Sequence, residues 1–239
     1  MRRVGAPDGD IFRPRGQLAR ELELARESPE EVVRALAGHI SPKRRERIER
    51  VLASRCRSLA VAVEGVRDPH NAAAVIRTAE AFGLTELHIV EAKDRFLSSR
   101  KVTQGSHKWI DLVTWRSPEG FLRRARADGR RVLVAAADGE SDLREIARNR
   151  PAVLVFGNEV EGISPRMREL ADGSFSIPMH GFVESLNVSV AAAISLFVLR
   201  ADGKGDLSPE EQAVLRARYY LRAVRRGYDI AVFTRRKRK

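Results

Sequence analysis

The stretch "IPMHGFVESLNVSVAAAISLF", residues 177–197, opens like the end of a strand, passes through a polar turn and becomes an uncharged helix. Burial explains VSVAAAISLF, but not the Pro-Met-His-Gly loop before it, nor Ser185, Asn187 and Ser189 at the helix entrance. Polar groups at the start of a buried helix must be met by its free N–H groups or by a bound ligand. The uncharged run from Ser185 to Leu199 is shorter than the roughly 18–20 apolar residues that span a bilayer, so it reads as a core helix.

Outward from this stretch, short apolar runs alternate with helical segments: LAVAVEG (59–65), ELHIVE (86–91), WIDLVTW (109–115), RVLVAAA (131–137), AVLVFG (152–157) and SFSIPM (174–179). Continuous apolar runs of strand length fit a mainly parallel sheet with helices on both faces, which makes the fold class α/β. Residues 1–58 read as two or three short helices in a basic N-terminal extension, 59–203 as the main domain and 204–239 as a basic C-terminal helix and tail. Ser-Pro pairs at 28, 41, 117, 164 and 208 each place a cap before a proline at the first helical position. Ser28 with Glu31, and Ser208 with Glu211, have the spacing of capping boxes.

The net charge of +12 is carried by the ends. Residues 1–58 hold 14 Lys/Arg against 9 Asp/Glu, and residues 216–239 hold 10 against 1, leaving the middle near neutral. Such ends suit a polyanionic partner. Arginines interleaved with Tyr219, Tyr220 and Tyr228 suit RNA, the arginines for phosphate and the aromatics for stacking; the alternative for TRRKRK is a solvated end. On that reading, loss of residues 229–239 weakens RNA binding. The N-terminus lacks an apolar signal core, and a cytoplasmic protein is expected. The single cysteine, Cys56, excludes an internal disulfide and a multi-cysteine zinc site, and no metal is expected.

The first strand leads into neither G-x-G-x-x-G nor G-x-x-x-x-G-K-S/T, which excludes the common dinucleotide and triphosphate sites. It leads instead into VRDPHNAAAVIRTAEAFG, with a helix expected from about Asn71 to Phe82. Ala72, Val75, Ile76, Ala79 and Phe82 share a face and Arg77 points elsewhere, either to solvent or over the sheet edge to hold a phosphate or a reacting oxygen. Asn71 reads most simply as the N-cap. A second cluster, AVLVFGNEVEGIS, sets Gly157 and Gly162 around Glu159 and Glu161, where glycine lets backbone approach a ligand or simply makes a turn.

Taken together, N-A-A-A-V-I-R-T-A-E-A-F-G, L-V-F-G-N-E-V-E-G-I-S and I-P-M-H-G-F-V-E-S-L-N-V-S-V-A-A-A resemble, in order and spacing, the three signature motifs of the SPOUT superfamily, and within it the SpoU branch of RNA 2'-O-ribose methyltransferases. The resemblance covers roughly residues 42–203. V-x-x-P-H-N, G-S-H-K-W (105–109), D-L-R-E-I (142–146) and S-L-N-V-S-V-A-A-A are similar to the tRNA (guanosine 18-2'-O)-methyltransferases, while the pair Val160-Glu161 departs from their usual pattern.

The resemblance implies a deep C-terminal trefoil knot, an obligate homodimer and S-adenosyl-L-methionine held by backbone near Ala135, Gly157, Ile177 and Leu186. It implies that Arg77 serves the reaction and that Asn71, Glu159, Ser185 and Asn187 order the site; His180 reads as structural. The expected substrate is a tRNA. Ribosomal RNA and a non-catalytic RNA-binding role are the alternatives.

Overall fold

The computed structural model describes residues 17–90, 108–146, 150–158 and 160–237. Two compact units result: Arg57–Gly203 forms one, and Arg13–Cys56 together with Lys204–Lys239 forms the other.

The first unit is built on seven strands, β1 (Leu59–Glu64), β2 (Glu86–Val90), β3 (Asp111–Trp115), β4 (Arg131–Ala135), β5 (Ser141–Asp142), β6 (Ala152–Phe156) and β7 (Gly173–Ser176). Every pairing is parallel, in the order β3-β2-β1-β6-β4-β7-β5. Period-two alternation sends Val61 and Val63 into one core layer, and Ala60 and Ala62 into the other. Helices α4 (Pro69–Ala81) and α7 (Val188–Leu199) fill the first layer, α5 (Pro118–Ala127) and α6 (Pro165–Leu170) the second. Coverage on both faces is why the strands are apolar throughout rather than alternating. The two-residue β5 is too short and polar to stand out in the sequence, and runs into the D-L-R-E-I segment at Asp142.

Strand order decides where a site can form. The C-terminal ends of β1 and β6 are adjacent, with Val63 opposite Phe156, and Ala135 at the end of β4 pairs with Phe175 of β7. The loops leaving β1, β6, β4 and β7 therefore emerge side by side, at the point where the chain switches direction across the sheet.

At the opposite edge, Arg130 and Glu86 form a buried ion pair, while Trp115 at the C-terminal end of β3 donates through Nε1 to His88 Nδ1 in the middle of β2 at 3.1 Å. Burial pushes the Glu86 carboxyl up, but His88 and Arg130 outweigh it and hold that carboxyl well below the usual carboxylate range.

The second unit holds α1 (Gln17–Glu27), α2 (Pro29–Leu36), α3 (Pro42–Ala53), α8 (Pro209–Ala223) and α9 (Gly227–Arg236). Helix α8 packs against α1, α2 and α3, and α9 against α2. Tyr219 and Tyr220 are 2% and 4% exposed, and Arg55 stacks over the Tyr219 ring at 5.6 Å. These two tyrosines are thus core residues, which corrects their reading as stacking platforms: the face of α8 that carries them also carries Leu215 and Ala217 into the core. Ser41, Ser117, Ser164 and Ser208 cap their helices as expected, and Ser208 with Glu211 closes a capping box. Ser28 makes no such bond, because its backbone (φ −145°, ψ 58°) departs from the extended geometry seen at the other four caps.

Candidate active site

Helix α4 starts at Pro69, two residues earlier than expected, and its cap is Asp68, whose carboxylate accepts from His70 N at 2.8 Å. Asn71 is therefore not the N-cap but a residue of the first turn. Its Oδ1 accepts from Asn187 Nδ2 at 3.0 Å, across 116 residues of sequence. Asn187 uses the other end of its amide to cap α7, accepting from Ser189 N at 2.8 Å and Ser189 Oγ at 2.6 Å. One side chain thus fixes the start of α7 and joins it to the start of α4, which answers why polar groups stand at the entrance of an uncharged helix.

Arg77 lies six residues further along α4 on its exposed side, away from the buried Ala72, Val75, Ile76 and Ala79. Ser185 stands in the exposed loop two residues ahead of the α7 cap, and Leu186 beside it is half-buried. Glu159 lies outside the described residues, as does part of the G-S-H-K-W stretch.

The loop after β6 is folded on itself. Asn158 and Gly162 exchange backbone hydrogen bonds of 3.2 and 3.1 Å, and Asn158 Oδ1 accepts from Val160 N and Glu161 N at 2.8 and 2.7 Å. Glu161, read in the sequence only as an acid of the motif, accepts from Arg67 in the loop after β1 at 2.5 Å. Ser164, at the far end, donates through N and Oγ to Glu64 at 2.9 and 2.7 Å. Glu64 and Arg67 were not singled out by sequence reasoning; the available signal was one acid closing an otherwise apolar strand.

A Cβ on Gly157 would fall 2.1 Å from the Gly162 carbonyl carbon, and one on Gly139 would fall 2.2 Å from the Phe175 carbonyl carbon. Neighbouring backbone fills the place of a side chain at both, so glycine lets the loop after β6 fold back on its own start at Gly162–Ile163 and lets the loop after β4 pack on Phe175–Ser176. Ala135 and Ile177, at the ends of β4 and β7, are half-buried against the α4/α7 core layer. Small and apolar residues at these strand ends suit a cofactor recognised by its adenine and sulfonium portions rather than by phosphates. Among the described residues no cluster of His, Cys, Asp or Glu has the makings of a metal site.

The comparisons agree with this geometry. The chain is 32% identical over 196 residues to the tRNA (guanosine(18)-2'-O)-methyltransferase of Borreliella burgdorferi, covering 80% of this chain and 90% of that protein. Among solved structures, the TrmH/SpoU tRNA-modifying enzyme of A. aeolicus superposes with a TM-score of 0.68 at 33% identity, over 77% of this chain and 98% of that one. The AdoMet-bound rRNA methyltransferase of Sinorhizobium meliloti gives 0.55 at 34% identity, over 60% of this chain and 56% of that one. The SpoU rRNA methylase family matches residues 58–197, the sheet unit with its three motifs, and the chain belongs to that family of RNA methyltransferases.

Proposed function

We propose that the protein methylates a ribose 2'-hydroxyl of RNA, with guanosine 18 of tRNA as the target. The observation that carries the reading is the Asn71–Asn187 hydrogen bond, which joins the first and third motifs where the loops of β1, β6, β4 and β7 emerge together. The tRNA assignment follows the Borreliella burgdorferi and A. aeolicus enzymes; the likeness to the Sinorhizobium meliloti enzyme favours ribosomal RNA as the second reading.

S-adenosyl-L-methionine, when bound, supplies a sulfonium methyl group for an in-line displacement. Backbone at Ala135, Gly157, Ile177 and Leu186 holds it, consistent with the close backbone packing of the loop that starts at Gly157. The protein's own task is to orient the attacking oxygen and to offset the charge that develops on it. Arg77 does so by charge-assisted hydrogen bonds; a guanidinium holds its proton too firmly to act as a base and serves better as an electrostatic partner. Asn71, Ser185 and Asn187 order the entrance of α7, and Glu159 orients a cation of the site.

The same reading threads the C-terminal part of the sheet unit as a deep trefoil knot. Supporting this, β7 lies between β4 and β5, which both precede it, and α7 then returns to pack on α4. It also makes the enzyme a cytoplasmic homodimer: Phe182 and Val183 before α7, and Val190 and Phe197 upon it, are exposed apolar side chains. No helix among the described residues is long and apolar enough to cross a membrane. Residues 1–58 and 204–239 serve as RNA-binding appendages of the 59–203 catalytic domain.

The test is to incubate the protein with labelled S-adenosylmethionine and separate pools of unmodified tRNA and rRNA, then map the product. Label on the 2'-oxygen of tRNA guanosine 18 is expected. Label confined to rRNA selects the second reading, and no transfer to any RNA leaves a non-catalytic RNA-binding protein.

A further inference from the structure

Glu64 is the only ionisable residue of β1 (LAVAVE) and is 3% exposed. It ends the strand one residue beyond the Val63–Phe156 pair, level with Gly157. Both oxygens are engaged by one residue: Oε2 accepts from Ser164 N at 2.9 Å and Oε1 from Ser164 Oγ at 2.7 Å. Ser164 Oγ in turn accepts from Met167 N at 3.0 Å, as the cap of α6. The carboxylate thus closes the loop 157–164 onto the sheet at its far end, while Gly157 continues β6 at the near end.

Burying a carboxylate that no cation neutralises among the described residues is costly, and a neutral side chain can tie a loop to a strand at less expense. What the forked end of this side chain adds is two polar atoms on one rigid plane, which fixes both the position and the orientation of the backbone it grips. Backbone orientation matters most where backbone is the recognition element, as at Gly157 and its neighbours. We propose that Glu64 is a positioning residue that sets the loop 157–164 in the shape that receives S-adenosylmethionine. This rests on the reading that the loop holds the cofactor.

The test uses the full chain and measures S-adenosylmethionine affinity by calorimetry, well below the lowest melting temperature, for Glu64→Gln, Glu64→Asp and Glu64→Ala. Glutamine keeps the reach: its oxygen accepts from Ser164 N and its amide donates to Ser164 Oγ. Aspartate keeps the charge but draws back by about 1.5 Å, one carbon–carbon bond. Glutamine is expected to bind within about threefold of wild type, and aspartate and alanine at least about tenfold more weakly, as for loss of a charged hydrogen bond.

Wild-type affinity in the aspartate or alanine variant overturns the proposal, as does a glutamine variant as weak as alanine, which would make charge rather than geometry decisive. A merely structural Glu64 would lower the melting temperature of the aspartate variant without moving its affinity. If the alanine variant does not fold, the aspartate and glutamine pair decides. Gly157→Ala separates the two layers of inference. If it loses the cofactor while Glu64→Asp keeps it, only the role of Glu64 falls; if it binds normally, the cofactor loop itself is misplaced and both readings fall.

Discussion

Arg77 stands on the exposed side of α4 with its neighbours Val75, Ile76 and Ala79 in the core, so its removal leaves the packing of the helix intact. Arg77→Ala should therefore lower single-turnover methyl transfer by about 10²–10³-fold, the usual loss for a transition-state charge partner, with a melting temperature close to wild type. Asn71 and Asn187 make a different prediction. Each alanine variant loses the same hydrogen bond, so a double-mutant cycle in urea should show a coupling of about 1 kcal/mol, whereas additive effects would mean that the pair is not joined in solution. Glu86 acts on stability alone. Its folded pKa is depressed, so its contribution is complete above the ordinary carboxylate value of 4.5 and is lost as pH falls toward the folded value. Glu86→Gln should cost about 3 kcal/mol at neutral pH by stranding the buried Arg130, and should flatten the acid limb of urea midpoint against pH.

At the scale of elements, α7 has two unlike sides. One packs on α4, while Val190 and Phe197, seven residues apart, leave the other apolar and exposed at 45% and 69%. If that side is the proposed dimer face, Phe197→Glu should shift the protein from twice the chain mass to the chain mass in light scattering at micromolar concentration. Elements of this kind were legible from sequence wherever one residue's type settled its place. The apolar runs gave the sheet because only strands covered on both faces dispense with polar alternation, and serine before proline marked four side-chain-capped helix starts. Asn71 was misread because Asp68 and Asn71 both precede helical pattern, and only tertiary structure shows that the Asp68 carboxylate caps the helix while the Asn71 amide is claimed by Asn187. Tyr219 and Tyr220 were misread because a helix in an all-helical unit buries its aromatic stripe while arginines flank it. Glu64 was invisible for a related reason: a single acid at a strand end does not reveal the serine, a hundred residues on, that satisfies it.

At the scale of the whole molecule, charge and architecture coincide. The excess of Lys and Arg at the two ends of the chain falls largely in the helical unit. Deleting residues 229–239 would remove most of α9, which packs on α2, and so would confound RNA binding with folding. Replacing Arg236 and Lys237, both exposed, by glutamine avoids this. If both meet phosphate, the slope of log affinity against log salt should fall by about 1.4–1.8 with little change in melting temperature; an unchanged slope means that the end of α9 is only solvated.

The helical unit also imposes an order on biosynthesis. Helices α1, α2 and α3 end at Ala53, but their shared partner α8 begins only at Pro209, so the ribosome must make the whole sheet unit in between. At about 5–20 residues per second this interval lasts roughly 8–30 s. Throughout it, Val32, Leu36, Ile48 and Leu52 have no α8 to bury them. The nascent chain thus carries an unfinished apolar surface on α2 and α3 until α8 emerges, and the helical unit closes only after the sheet unit has been made.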